Sequence, residues 1–396
     1  DIDEIIRIAK INKIQAIHPG YGFLSENVEF VRRCKEENII FVGPDAEVME
    51  QLGDKVRSKG VARACGVPVI EDNKVKLDSP TTALKEAKLI GFPIIFKASA
   101  GGGGRGMRVI RKEEELEKAF LEAKREAANA FGDDTIFIEK FIEDPKHIEV
   151  QILGDNQGNI VHLYERDCSV QRRFQKVVEI APAPNLKPET KEKLYLYALS
   201  LARHVSYNNA GTVEFLVDGD ENIYFIEVNP RIQVEHTVTE EITGIDLVRS
   251  QILIADGKSL HSDRINIPQQ ADIKCNGFAI QCRITTEDPQ NDFKPDYGTI
   301  IAYRHAGGYG IRLDEGSSYQ GVKVSPFFDS MLVKITAKGR TLKGARQRMH
   351  RALMEFRIRG VKTNILFLEN VIMHPEFEKG AATVKFIEKY PALFQI

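Results

Sequence analysis

Apolar residues fall at helical spacing at the start of the chain, where Ile2, Ile5, Ile6 and Ala9 share one face. The run IQAIHPG predicts a strand into a turn, a helix follows over about residues 27–37, and IIFVGP from Ile39 predicts a second strand. Strand, helix, strand at this spacing is a βα unit of an open parallel sheet. Two short helices lead to Cys65 and Gly66. From Val67 the pattern changes: FPIIFKAS and GMRVIRK are apolar strands flanking a glycine-rich turn, followed by a charged helix over about 112–130 and the strand TIFIEKFI. This predicts a compact α+β unit ending near Phe141. Beyond it, HIEVQILGD, GNIVHLYERD, GTVEFLVD and NIYFIEVN alternate as antiparallel strands, with a helix from 188 to about 204 among them. A further strand-rich stretch runs over roughly 275–336, and 341–357 is an amphipathic helix.

The glycine-rich turn is the first candidate for chemistry. Lys97 is followed by ASAGGGGRGMRV, which satisfies G-x-G-x-x-G at Gly101, Gly103 and Gly106. A dinucleotide-binding motif must open a helix, and here a strand follows. A Walker A loop is also missing, because the GKS at 257–259 has Ile252 where glycine is required. What remains is either a plain turn or a hairpin whose backbone N–H groups close over phosphates beside Lys97. Four consecutive glycines cost more backbone entropy than a turn needs, which favours the phosphate reading.

The hairpin GTVEFLVDGDENIYFIEVN supplies the second. With its centre between Asp220 and Glu221, Glu214 faces Glu227. Directly opposed like charges destabilise a sheet, and a divalent cation between them reverses that sign. Oxygen ligands point to Mg²⁺, with Asn229 two residues along the same face. The alternative is a solvated outer face. In ERDCSVQRRFQKV, Arg172, Arg173 and Lys176 read alone as a solvated positive edge. In NPRIQVEHTVTEE an extended backbone would put Arg231, Gln233 and Glu235 on one side, a trio able to hold a small anion and deprotonate it. The alternative is a polar strand end whose Thr239, Glu240 and Glu241 serve the next helix. His147, His236 and Cys168 read as structural.

Composition narrows the class. With 55 Lys+Arg against 57 Asp+Glu in 396 residues, the formal charge of −2 argues against a nucleic-acid binder. No stretch has the apolar length of a membrane span. Five scattered cysteines without a C-x-x-C pair fit neither a disulfide framework nor a structural zinc site, and suit a reducing compartment. The opening DIDEIIRIAK has neither an initiator Met nor a charged-then-apolar leader, so the expectation is no signal peptide and upstream residues removed.

Together, HPGYGFLSEN, GDK, KASAGGGGRGMRV, EKFIEDPKHIEVQ, ERDCSVQRRFQKVVE, EFLVD, FIEVNPRIQVEHTVTEEITG and CRITTEDP resemble the biotin carboxylase component of biotin-dependent carboxylases, in family order over nearly the whole chain. FPIIFKA, VEHTVTEEITGIDLV, EFRIRGVKTNI and FIEKYPALFQ resemble its pyruvate carboxylase branch. The resemblance implies an α/β and α+β architecture: a partial Rossmann-like biotin carboxylase N-terminal domain (1–42), a helical linker (43–68), an ATP-grasp lid (69–141), an ATP-grasp core (142–270) and a biotin carboxylase C-terminal subdomain (271–396). It implies ATP-dependent carboxylation of biotin, with acetyl- or propionyl-CoA carboxylase service, or a non-catalytic ATP-binding module, as alternatives.

The same resemblance assigns roles. Lys55, Lys97, Gly103 and Gly104 would bind ATP phosphates; Glu139, Lys140, Phe141 and Ile142 would line the adenine site, with His147 and Gln171 also at the nucleotide. Glu214, Glu227 and Asn229 would hold Mg²⁺ or Mn²⁺. Lys176, Arg231, Gln233 and the Val234 backbone would hold bicarbonate, Glu235 would be its base, and Arg283 would stabilise the biotin enolate while Arg231 orients the reacting groups. Implied partners are a biotin carboxyl carrier domain, a carboxyltransferase domain and further copies of the chain, in the cytoplasm or, in a eukaryote, the mitochondrial matrix. Two departures stand out. Phe174 occupies the place of the family's usual His, and neither the N-R-G-E-I-A segment nor the A-M-K-M biotin-attachment motif occurs, so biotin is expected from another domain or chain.

Overall fold

The computed structural model describes residues 1–73, 75–98, 107–131, 133–316 and 318–395; of these, the side chains of residues 55, 130 and 131 lie outside the description. The helix Ile2–Ile11 starts where the Asp1 carboxylate accepts the Glu4 N–H, and it buries Ile6 and Ala9. Asn27 caps Val28–Glu36 in the same way, through the Phe30 N–H. Between these helices Ala16–Ile17 pairs in parallel with Ile40–Phe41, the βα unit expected from the sequence.

The next layer is small. Ile94–Ala98 is the middle strand of a three-stranded sheet, between Arg108–Ile110 and Ile136–Lys140. The helices Pro80–Ile90 and Leu116–Phe131 supply Ala83, Ala87, Leu116, Phe120 and Ala123 to its apolar face, where Phe96 and Phe120 meet edge to face. Small residues at helical spacing let both helices lie close to the strands.

The rest of the molecule is organised by one eight-stranded antiparallel sheet. Its order is Ile223–Asn229, Asn209–Val217, Lys146–Gly154, Ile160–Arg172, Gln175–Ala181, Phe278–Thr285, Met331–Gly339 and Ile311–Glu315. The residues on either side of position 270 thus share one continuous sheet. Strand alternation separates its two faces. Ile148, Val150, Ile152, Val213 and Phe215 pack against the helix Pro188–His204, whose Leu194, Ala198, Leu201 and Ala202 are buried at helical spacing. The intervening positions, His147, Glu149, Gln151, Thr212 and Glu214, therefore point the other way. Fully burying each large side chain on the apolar face is worth roughly 1.5–3 kcal/mol, which fixes the register and so fixes the polar face behind it.

Candidate active site

Four strands present a row of charge across that polar face. Arg166 stands opposite Glu149, Glu149 opposite Glu214, and Glu214 opposite Glu227. The expected Glu214–Glu227 pairing is present, but it forms by a different route. Near the turn Phe225 pairs with Phe215 and Tyr224 with Leu216, one position off the expected register, and a bulge between Phe225 and Glu227 restores it. One step along, Gln151, Thr212 and Asn229 form the neighbouring row.

Lys176 sits among these carboxylates, with 13% of its side chain exposed. Its Nζ donates to Glu149 Oε2 at 2.5 Å, Glu235 Oε1 at 2.7 Å and Glu214 Oε1 at 2.8 Å. An ammonium has three N–H donors, and each finds a carboxylate. Burial alone would lower its pKa, but Glu149, Glu235 and Glu214 outweigh that and hold it well above the ordinary lysine value. Of the basic segment ERDCSVQRRFQKV, only Arg173 behaves as the solvated edge expected from the sequence: it pairs with exposed Asp292, which Arg172 also meets while its guanidinium lies over the Phe293 ring, and Lys176 is interior.

Glu235 is 2% exposed. Besides Lys176, it accepts a hydrogen bond from Arg283 Nη2 at 3.1 Å. Burial pushes its pKa up, and Lys176, Arg283 and Arg166 together push it below the usual carboxylate range. Arg283 also donates through Nε to Glu179 Oε1 at 2.8 Å. Glu179 moves in the opposite direction from Glu235: full burial and the charge of Glu235 raise it, though Arg283 opposes them. Glu214 is held far below its ordinary value, because Lys176 and then His147 overcome its burial. Asn229 Nδ2 and Gln233 Nε2 also donate to its Oε1, at 2.9 and 2.8 Å, and His147 Nε2 lies 2.8 Å from its Oε2. Gln171 Nε2 is 2.9 Å from His147 Nδ1 and 2.8 Å from the Cys168 carbonyl.

The segment carrying Arg231, Gln233 and Glu235 is not extended, as the sequence suggested. It turns, the Gln233 carbonyl accepting the His236 N–H at 3.3 Å, and Glu235 takes the N-cap position of the helix His236–Thr243. Glu235 still reaches Lys176, and Gln233 donates to the same Glu214 oxygen that Lys176 does. Arg231 is directed elsewhere, with Nη2 on Asn229 Oδ1 at 3.1 Å and Nε 3.3 Å from Glu26 Oε1. Glu240 serves the following helix, Leu247–Ala255, by accepting the Leu247 N–H, and also accepts from Arg312. The Val234 carbonyl accepts from Lys334 Nζ at 2.9 Å.

On the three-stranded sheet, Lys97 Nζ donates to Glu139, which also accepts from Lys59 Nζ at 2.7 Å. Lys140 directs its ammonium to the Gly91 and Phe92 carbonyls, so its side chain is committed to the sheet's own loop. Phe141 packs between the cations of Arg111 and Lys385, and Ile142 is 9% exposed. Gly103 and Gly104 lie outside the described residues, as does the side chain of Lys55. Cys168 is fully buried with its thiol pKa raised by burial first, which fits a structural residue. Sequence reasoning missed Glu149 and Arg166. For Glu149 the available signal was the same as for Glu214, a charge alternating with apolar residues inside a buried strand, as in HIEVQIL; Arg166, between Glu165 and Asp167, carried no such signal.

This geometry matches known proteins along the whole chain. Residues 1–49 match the model of the biotin carboxylase N-terminal domain, 54–263 the carbamoyl-phosphate synthase L chain ATP binding domain, and 281–389 the biotin carboxylase C-terminal domain. A solved structure of the biotin carboxylase subunit of pyruvate carboxylase is 47% identical, with a TM-score of 0.87 over 100% of this chain and 86% of that one. The chain belongs to the biotin carboxylase family. Another member, the biotin carboxylase domain of the Hydrogenobacter thermophilus 2-oxoglutarate carboxylase in complex with MgADP, ADP and bicarbonate, is 46% identical with a TM-score of 0.88, over 99% of this chain and 85% of that one. Bacillus subtilis pyruvate carboxylase is 56% identical over 100% of this chain, which spans 34% of that protein's length. The chain thus covers about a third of the curated relatives it matches. Among the described residues no helix is long and apolar enough to cross a membrane.

Proposed function

We propose that this chain carboxylates biotin with ATP and bicarbonate through carboxyphosphate, as the first half-reaction of a pyruvate carboxylase. The observation that carries this reading is that Lys176 and Arg283 meet on the buried Glu235, while Lys176 and Gln233 meet on Glu214, which stands opposite Glu227. Two buried cations, Lys176 and Arg283, set on either side of the carboxylate of Glu235 suit a small anion that must lose a proton.

Bicarbonate would take the hydrogen bond that Lys176 now gives to Glu235. Removing that cation from Glu235 restores its basicity, so it accepts the bicarbonate proton as the oxygen attacks the γ-phosphorus and ADP leaves. Carboxyphosphate then separates into CO₂ and phosphate, the phosphate taking the proton from biotin N1. Arg283, fixed by Glu179, is the donor for the oxyanion that develops on biotin. Lys97 would meet phosphate oxygens, with Lys55, Gly103 and Gly104; Glu139, Lys140, Phe141, Ile142, His147 and Gln171 would surround the nucleoside.

Glu214, Glu227 and Asn229 would hold Mg²⁺ or Mn²⁺, and the residues fit such an ion. Their donors are oxygens, and the two carboxylates stand directly opposed on neighbouring strands. The ion would offset charge on the transferring phosphoryl group. The carrier and carboxyltransferase domains of relatives, a homo-oligomeric assembly, and a cytoplasmic or mitochondrial-matrix setting belong to the same reading. Its test is bicarbonate-dependent ATP cleavage with free biotin, coupled to detection of carboxybiotin. ADP and carboxybiotin should appear together, and ATP cleavage indifferent to bicarbonate would overturn the reading.

A further inference from the structure

Arg166 has no exposed surface. Its guanidinium offers five N–H donors, and each meets a different side-chain acceptor. Nε donates to Glu149 Oε1 at 2.5 Å. Nη1 donates to Gln151 Oε1 at 2.7 Å and Thr239 Oγ1 at 2.9 Å. Nη2 donates to Gln233 Oε1 at 2.9 Å and Thr212 Oγ1 at 3.1 Å. A buried ion pair is weak evidence of stabilisation, because apolar residues of similar volume often do as well. Complete saturation of a fork across two neighbouring strands, a turn and a helix calls for another explanation.

Two of the acceptors lead into the pocket. Glu149 holds Arg166 on Oε1 and Lys176 on Oε2, so the guanidinium fixes the carboxylate that fixes the ammonium. Gln233 has its oxygen turned to a group that can only donate. Its amide nitrogen must therefore face forward, where it reaches Glu214 at 2.8 Å. Glu214, which can only accept, favours the same orientation, so Arg166 anchors the amide at its oxygen end, and without it the amide is held at its nitrogen end alone.

We propose that Arg166 is a positioning residue that sets the anion affinity of the pocket, acting through Glu149 on Lys176 and through the amide orientation of Gln233. This rests on the carboxylation reading above. Lysine cannot replace it, having three donors at one point where a planar fork spans Glu149 and Gln233.

The test uses the full-length protein, with KM for bicarbonate and for ATP measured in the ATP-cleavage assay for Arg166→Lys, Arg166→Met and Gln233→Ala. The KM for bicarbonate should rise about tenfold to a hundredfold in Arg166→Met, the scale of a hydrogen bond to a charged group, while the KM for ATP stays within about threefold. Arg166→Lys retains a charge beside Glu149 and guards against failure to fold; it should show the same selectivity. Adding Arg166→Lys to Gln233→Ala should cost less than the two single losses multiplied, because both act on one amide. Equal rises in both KM values that follow a fall in melting temperature would reduce Arg166 to a structural ion pair. Fully multiplicative losses would remove the route through Gln233. ATP cleavage by the unsubstituted protein that ignores bicarbonate would instead overturn the carboxylation reading itself, and this proposal with it.

Discussion

Lys176 and Lys97 are both lysines held against carboxylates, yet their surroundings differ in kind. Lys176 is gripped by three carboxylates from two strands and a helix N-terminus, with 13% of its side chain exposed. Lys97 is 32% exposed and has Glu139, a partner it shares with Lys59. Burial raises the Glu139 pKa, but Lys97 and then Lys59 bring it below its ordinary value. Removing Lys97 therefore leaves Glu139 still paired with Lys59, whereas removing Lys176 takes a cation from three buried carboxylates at once and leaves Glu214 with no lysine or arginine among the contacts described above. The contrast separates a buried charge network from a charge shared on one partner; under the proposed function the first would receive a small anion and the second would be taken over by phosphate.

The largest effects should come from breaking the anion pocket at its two ends. Removing a positioned general base costs typically 10²–10⁴-fold, and removing one oxyanion donor costs about 10²–10³-fold. Glu235→Gln should depress ATP cleavage and carboxybiotin formation together, because carboxyphosphate is never made. Arg283→Ala should depress carboxybiotin formation more than ATP cleavage. Their 3.1 Å contact admits a plainer role as a structural salt bridge. Equal losses in both activities, tracking thermal stability in both variants, would establish that role instead.

Stability should distinguish the two lysines next. Breaking a buried ion pair typically costs about 3–5 kcal/mol, and Lys176→Met should approach that figure in urea denaturation. Lys97→Met should cost less than about 1 kcal/mol, as expected for a partly exposed lysine whose partner Glu139 keeps Lys59, while raising the KM for ATP. Similar stability losses in the two variants would erase the distinction between a fixed and a parked charge.

A smaller effect follows from pH. Burial, the first cause for each, lowers the pKa of His162 to about 4 and, with help from Lys334, that of His236 to about 3. An unfolded histidine titrates near 6.5. Between that value and about 4 the unfolded chain binds protons that the folded chain does not, so stability falls as pH is lowered through this window, by up to about 1.4 kcal/mol per pH unit per histidine. Glu214 and Glu235, held below their ordinary values, add stability that is present above the unfolded carboxylate range and lost as pH falls below it. Residues 69–141 contain no histidine. Amide exchange in Ile94–Ala98 and Ile136–Lys140 should therefore respond less to a shift from pH 7 to 5.5 than exchange in Lys146–Gly154. Equal responses would place the titrating groups elsewhere.

The parts of this molecule legible in the sequence are those where one period dominates. Helix Pro188–His204 and the strands either side of the glycine turn follow from spacing alone. The carboxylate row was legible as a pair, because carboxylates interrupt apolar strands, but the turn register was not: the bulge near Glu227 is a local backbone choice with no side-chain signature. Residues 230–236 failed for a different reason. Alternating polar residues suggest a strand, whereas the Gln233 carbonyl closes a turn onto the His236 N–H and Glu235 becomes a helix N-cap. Arg166 was hidden because its value lies entirely in tertiary partners, none nearer than 15 residues in sequence.

The smallest expected effect concerns the tip of the hairpin that carries Lys176. Arg173 and Phe174 form a two-residue connection between Ile160–Arg172 and Gln175–Ala181, with φ of 48° and 65°. Two successive positive φ values define the mirror-image turn that Asn and Gly favour, and a bulky aromatic is strained there. Phe174 is also 70% exposed, so its ring gains little from burial. The turn is held by Arg172 and Arg173 on Asp292. Histidine adopts this backbone region more readily and offers a ring nitrogen where the family resemblance leads one to expect it. Phe174→His should tighten binding of an ATP analogue several-fold, one hydrogen bond being worth about 0.5–1.5 kcal/mol, and should not lower the melting temperature. Phe174→Asn separates the two causes, since it relieves the backbone without supplying the imidazole. Tighter binding in the His variant alone assigns the effect to the ring nitrogen. Equal gains in both variants would assign it to the turn, and identical affinities in all three proteins would show that the hairpin tip takes no part in holding the nucleotide.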